Sequence, residues 1–221
     1  MTRSGSDPSA STPASATAGA SIPQAEAVYA ALKAQVSARL AAATAGHPPV
    51  LVGIHTGGAW VAQRLHRELC PDAPLGFLSS AFHRDDYSAR GLRTSGSRGT
   101  TQIDFKVDGA DILLIDDVLY TGRTVRAALN ELFDYGRPRR VDLAVMVDRG
   151  GRELPMHASM AGCRIELNAG SSLVLSRVAG HQVSGPAGVA PQAALSVSAT
   201  TPAAHGSDES PDRFTFQLEA A

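Results

Sequence analysis

With 221 residues, 43% of them hydrophobic and 19% charged, the chain can bury the core of one ordinary globular domain. A formal net charge of −1 excludes a global basic field of the kind that draws a protein onto nucleic acid, leaving only a local patch for that role. Two cysteines, Cys70 and Cys163, and the scattered His55, His66 and His83 form neither a disulfide framework nor a metal spacing, and no apolar run is long enough to span a membrane; with no signal-peptide core at the N-terminus, the expected location is cytoplasmic.

Residues 1–21 are almost entirely Ser, Ala, Thr, Gly and Pro and are expected to be a disordered tail. The Ala-rich stretch 24–43 reads as a helix, and "PVLVGI" (49–54), bounded by Pro and Gly-Gly, as a short buried strand. Residues 59–69 carry apolar groups at helical spacing through Ala59, Ala62, Leu65 and Leu69. Residues 75–82 and 101–107 are strand-like, with a Gly/Ser/Arg-rich loop at 88–100 between them. "DILLI" (111–115) has no polar alternation, as in a parallel strand covered on both faces. A helix follows at 122–135, its stripe running through Val125, Ala128, Leu129, Leu132 and Phe133 until Gly136 and Pro138 stop it. Residues 141–147 read as the next strand. Two more strands are predicted at 172–178 and 213–219, the second alternating Phe214, Phe216 and Leu218. The low-complexity stretch 179–210 between them is expected to be a long disordered loop inserted into the same domain. This alternation predicts an α/β fold with a mainly parallel sheet flanked by helices. Ligands of such sheets bind at the carboxyl ends of the strands, which directs attention to 55–58, 116–124 and 148–152.

The richest of these is "DILLIDDVLYTGRT" (111–124). Thr121-Gly122-Arg123-Thr124 is a tight turn opening a helix, with backbone N–H groups and two hydroxyls available to an anion. Alone, such a turn is more often just a capped helix. Just ahead of it, Asp116 and Asp117 are awkward neighbours, because like charges repel unless hydroxyl donors or a divalent cation relieve them. A ribose offers two adjacent hydroxyls, and Mg²⁺ can link carboxylates to a pyrophosphate. Turn acids that cap the next helix would explain either aspartate alone. Strand, acid pair and anion turn together favour a phosphorylated ribose.

The stretch 112–124 resembles the phosphoribosyl-pyrophosphate (PRPP) signature of type I phosphoribosyltransferases. The longer run "DDVLYTGRTVRAALNELFDYGRPRRVDLAVMVDRGGRELP" (116–155) is similar to the PyrR family, whose members combine uracil phosphoribosyltransferase activity with attenuation of pyrimidine operons; "LVGIHTGGAWVAQRL" (51–65) and "FHRDDYS" (82–88) fit the same family. The resemblance covers about residues 24–178 and a last strand at 213–219, and implies one phosphoribosyltransferase domain over 22–221 with a small hood and a mobile loop. The implied reaction joins uracil to PRPP, giving UMP and pyrophosphate.

By position, Asp116 and Asp117 are the implied catalytic acids, holding the ribose hydroxyls and a Mg²⁺ ion mostly through water and PRPP. Val118, Leu119, Tyr120, Thr121, Gly122, Arg123 and Thr124 form the implied ribose-phosphate segment, and Thr56, Gly57 and Gly58 the pyrophosphate loop. Arg149 is expected over the base or pyrophosphate, although a solvated surface arginine fits its residue chemistry as well. Arg84 is the favoured catalytic arginine of a mobile loop at about 84–101, ahead of Arg90, Arg93 and Arg98. Tyr120 stands where purine-salvage relatives carry an aspartate able to serve the base's N7; a tyrosine is a poor base at neutral pH and suits a pyrimidine. Gly57 departs from the family, since Gram-positive members carry an arginine there.

The resemblance also implies a homodimer or larger assembly and, as a second activity, binding of leader RNA with UMP as co-regulator. The matching stretch 32–38 has only Lys33 as a basic residue, and 165–172 has no lysine, whereas RNA affinity leans on Lys and Arg contacts to phosphate. A patch drawn from Arg137, Arg139, Arg140 and Arg152 would support the alternative, a UMP-sensing RNA-binding attenuator with little or no catalysis.

Overall fold

The computed structural model describes residues 22–44, 47–79, 100–167, 170–178 and 212–220. The tail at 1–21, the arginines Arg84, Arg90, Arg93 and Arg98, and the stretch 179–210 lie outside them.

Five parallel strands make the main sheet: β1 (Val50–Ile54), β2 (Leu75–Leu78), β3 (Asp111–Leu119), β4 (Arg140–Asp148) and β5 (Met160–Arg164). Their spatial order is β2-β1-β3-β4-β5, so the chain reverses its winding direction between β1 and β3. Helices α1 (Ala25–Ala41) and α2 (Gly57–Leu69) cover one face of the sheet. There Val61, Ala62 and Leu65 of α2 join Leu113 and Ile115 of β3. Helix α3 (Arg123–Asp134) covers the other face, where Val125, Ala128 and Leu132 meet Ile112 and Leu114. Both faces of β3 are therefore apolar, which is why its sequence shows no alternation. Strands β6 (Ser171–Val178) and β7 (Arg213–Ala220) form a separate antiparallel pair. It is fastened to the first face through Leu173, Leu175, Phe214 and Phe216.

Four local expectations need correction. Residues 101–107 make no strand: one antiparallel bridge, Phe77 with Gln102, is their whole pairing. Their alternating apolar groups pack instead, Ile103 and Phe105 lying so close over Gly76 that a β-carbon there would meet them at 2.8 and 2.9 Å. Strand β5, "MAGCR", went unpredicted because it is short and lacks both alternation and a β-branched run. Its Gly162 admits α1: a β-carbon would come within 2.7 Å of Val28 Cγ1. Phe133, placed in the buried stripe of α3, is exposed, and Ala127 is buried instead. Finally, β3 does not stop at Ile115 but continues through the acid pair to Leu119.

Candidate active site

The reversal between β1 and β3 opens a crevice at their carboxyl ends, because the chain leaves the two strands toward opposite faces of the sheet. Into it come the end of β1, the N-terminus of α2, the acid pair and the turn before α3.

Continuing β3 through 116–119 changes the reading of the acid pair. Successive strand residues point to opposite faces, so the two carboxylates do not lie side by side. Asp116 shares the α3 face with Ile112 and Leu114, is only 4% exposed, and its Oδ1 accepts the Asp117 N–H at 3.0 Å. Asp117, half-buried, lies on the α2 face, with its carboxylate against Gly57. The expected mutual repulsion is relieved by the pleat of the strand itself.

Thr56 occupies the N-cap position of α2, while Gly57 and Gly58 are the helix's first residues rather than a separate loop. Both glycines are required by close approach. A β-carbon on Gly57 would lie 2.9 Å from Asp117 Cβ and press on its carboxylate. One on Gly58 would lie 2.8 Å from Asp116 Cα and collide with the Ile115 carbonyl. The N-terminus of α2, with its partial positive charge, is thus brought directly against the acid pair. The peptide between His55 and Thr56 is cis. Burial pushes the His55 imidazole below its ordinary range, outweighing a hydrogen bond with the Thr100 backbone, and its ring lies 5.5 Å from that of Phe77.

At the end of β3, Leu119 and Gly122 bracket the anion turn. Gly122 has φ of 92°, a left-handed conformation that glycine adopts without strain, and it caps α3. Arg123 and Thr124 form the first turn of the helix. The Arg123 N–H donates to Thr121 Oγ1 at 3.3 Å, and the exposed Arg123 guanidinium pairs with Glu153 at 2.8 Å. Val118 is half-buried, and Tyr120 is 43% exposed at the mouth of the crevice.

Arg149 is not a solvated surface residue. It is 8% exposed, and its guanidinium carbon lies 3.8 Å from the centre of the Tyr120 ring, a cation–π stack. Among the described residues its buried Nε has no hydrogen-bond partner, which leaves a donor beside the crevice. Next to it, an open cleft of about 430 Å³ is lined by Asp148, Gly150, His157, Arg164, Ile165 and Glu166. Burial raises the Asp148 carboxyl, but the Gly150 N–H, Arg152 and Arg164 outweigh it and hold the group below the ordinary carboxylate range.

The proposed basic patch is largely spent on internal contacts. Arg139 pairs with Asp111 at 2.7 Å, Arg140 with Asp142 at 2.8 Å, and Arg152 with Asp148. Arg137 donates to the Phe133 carbonyl, and Lys33 is paired with Glu68 at 2.8 Å. Arg152 in particular is half-buried, and its guanidinium is turned onto the backbone of the site, a set of contacts that its sequence neighbourhood does not show.

Among the described residues no three His, Cys, Asp or Glu side chains cluster as a metal cage. One half-buried carboxylate beside a helix N-terminus instead fits an ion that keeps its waters and shares an anionic substrate. No described helix is long and apolar enough to cross a membrane.

A parallel sheet of this order, with acids at the end of β3 and a glycine-capped turn leading into α3, defines a phosphoribosyltransferase of the type I fold. The phosphoribosyl transferase domain matches residues 20–171. The chain is 51% identical over 151 residues to the bifunctional protein PyrR of Ralstonia nicotianae, covering 68% of this chain and 84% of that one. It is 42% identical over 156 residues to the bifunctional protein PyrR of Pseudomonas fluorescens, covering 71% and 91%. A solved hypoxanthine-guanine phosphoribosyltransferase from Bacillus anthracis, with a HEPES molecule in its active site, superposes with a TM-score of 0.50 at 17% identity, over 66% of this chain and 84% of that one, a likeness of fold alone. The chain belongs to the PyrR family of phosphoribosyltransferases. Enzymes of this class are glycosyltransferases that generally use PRPP together with Mg²⁺.

Proposed function

We propose that the chain is a uracil phosphoribosyltransferase of pyrimidine salvage: it joins N1 of uracil to C1 of PRPP, breaks the bond from C1 to the pyrophosphate oxygen, and releases UMP, pyrophosphate and the N1 proton. The observation that carries this reading is the meeting of the Asp117 carboxylate with the N-terminus of α2, at the end of the strand that leads into the turn 121–124.

The 5′-phosphate sits at the N-terminus of α3, where Thr121 to Thr124 supply hydroxyls and N–H groups. Asp116 and Asp117 take the ribose hydroxyls. The Asp117 N–H donates to Asp116 Oδ1, and the Asp117 carboxylate lies against the start of α2. Thr56, Gly57 and Gly58 bind the leaving pyrophosphate through backbone at close range. Magnesium, held at Asp117 mostly through water and PRPP, would neutralise that pyrophosphate. Tyr120 and Arg149 border the base, and neither offers a proton acceptor to a purine N7. No covalent nucleophile is needed: positioning and electrostatics carry the reaction.

Arg84 and the loop at 84–101, as cover for the reacting PRPP, belong to the same proposal, as do a single domain over 22–221, a cytoplasmic site of action and a homodimer or larger assembly. Regulation of pyrimidine operon transcription follows from kinship to proteins named PyrR. A UMP sensor without catalysis is not favoured, since the basic side chains it would use are paired internally.

The test is UMP formation from uracil, PRPP and Mg²⁺ by the purified protein, with hypoxanthine and orotate as competing bases. Uracil-selective turnover is expected. Turnover with hypoxanthine, or with no base at all, overturns the reading.

A further inference from the structure

Behind the ligand-facing residues, one half-buried side chain makes five hydrogen bonds. The Arg152 side chain is 22% exposed. Its Nη1 lies 3.1 Å from the Leu119 carbonyl, 2.7 Å from that of Tyr120 and 3.0 Å from that of Gly150. Its Nε donates to the Met156 carbonyl at 3.1 Å, and its Nη2 to Asp148 Oδ1. Around it, segment 149–156 grips the anion turn. The Arg149 N–H donates to the Leu119 carbonyl at 3.1 Å. Glu153 and Leu154 N–H groups both donate to the Thr121 carbonyl at 3.0 Å. Met156 packs on Gly122, where a β-carbon would meet its Cγ at 2.8 Å.

Three consecutive carbonyls, those of Leu119, Tyr120 and Thr121, are thus drawn toward one loop. In a trans peptide the C=O and the following N–H point in opposite directions. Holding these oxygens therefore aims the N–H groups of Tyr120, Thr121 and Gly122 away from segment 149–156.

We infer that Arg152 is a positioning residue for the phosphoribosyl donor: its planar fork fixes the peptide planes of the turn so that their N–H groups are set for the 5′-phosphate before it arrives. The inference rests on the proposed role of the turn 121–124. Arg152 touches no substrate. It acts through the backbone of the turn, whose Leu119 and Tyr120 carbonyls it holds. A lysine cannot replace it, because one ammonium centre cannot serve carbonyls on both sides of the fork and Asp148 together.

The test compares wild type with Arg152→Lys, using PRPP and Mg²⁺ in calorimetry and initial rates. Arg152→Lys should weaken PRPP binding at least tenfold and raise KM for PRPP in parallel. KM for uracil at saturating PRPP should stay within about twofold, which a general loss of structure would not leave untouched. PRPP binding within twofold of wild type, or an equal rise in both KM values, overturns the inference. If Arg152→Lys does not fold, Asp148→Asn decides. It replaces the charged acceptor of one arm of the fork with a neutral one and should weaken PRPP binding at least threefold; unchanged binding overturns the inference. A wild-type protein that fails to bind PRPP at all counts instead against the proposed function.

Discussion

Gly58→Ala probes the approach of α2 to the acid pair. The new methyl would sit 2.8 Å from Asp116 Cα, and nearer still to the Ile115 carbonyl, where ordinary contact begins at 3.4 Å. Both obstacles are backbone, so the start of α2 must retreat from β3 by at least about 0.6 Å, and overpacking of this kind costs about 1–3 kcal/mol. Alanine's better helix propensity recovers up to about 1 kcal/mol, so the overlap wins and Tm falls by about 2–8 °C in a chain of this size. A misplacement near 1 Å costs on the order of 10²-fold in rate, so kcat/KM should fall by about 10- to 100-fold. The control is Gly109→Ala. At φ of 75° with nothing within 4 Å of a β-carbon, it loses about 1–2 kcal/mol to left-handed strain and keeps its activity. Thermal denaturation and pyrophosphate release measure the two quantities. Wild-type kcat/KM in Gly58→Ala, or an equal activity loss in both variants, refutes the reasoning.

Asp117→Asn should keep stability within about 0.5 kcal/mol yet lose on the order of 10²-fold in kcat, because the carboxylate faces the crevice and not the core; wild-type turnover would remove its role. Arg64→Met should cost about 2–3 kcal/mol in urea denaturation and, by releasing Glu26, whose Oε1 accepts the Phe214 N–H at 2.6 Å, expose that amide to hydrogen exchange. Arg64 forks onto Glu26 at 2.9 Å, reaches Glu68 at 3.0 Å and lies 4.0 Å over Tyr29; because Glu26 is 42% exposed, the figure stays below that of a fully buried pair. A loss under about 0.5 kcal/mol would mean that β7 is held by its apolar side chains alone. Stability should also fall in acid. Burial raises Glu26, Glu68, Asp142 and Asp148, but their hydrogen bonds and arginine or lysine partners outweigh it and hold all four below their ordinary values of 4.5 and 3.8. Carboxyls depressed in the folded state contribute stability that is fully present above about pH 5 and is lost as pH drops through their lowered values. Denaturation midpoints that rise between pH 5 and pH 3 would contradict this.

Much of the architecture was legible in local patterns. The apolar runs at 49–54, 111–115 and 141–147 are strands, and the stripe at 59–69 is a helix. Periodicity failed where burial came from a neighbour and not from a ladder. Ile103, Phe105 and Val107 alternate as a strand would, yet they are irregular chain, and the first two cover Gly76. "MAGCR" is a strand because β4 pairs with it and α1 lies close over Gly162, and neither partner is visible in five residues.

The site divides in the same way. Residue types and spacing along one segment were enough to single out the acid pair, the Thr121–Thr124 turn and the glycines after β1 as candidates, because a strand end, a turn into a helix and paired glycines each leave a local signature. Which way the carboxylates face, that Asp117 meets Gly57, that Arg149 lies buried beneath Tyr120, and that Arg152 holds two carbonyls of the distant turn were decided only by the fold. Those facts depend on the pleat of β3 and on packing between segments some 30 to 60 residues apart, as from Leu119 to Arg152 and from Gly57 to Asp117. No local pattern encodes the distance between such segments; the burial of their apolar faces sets it.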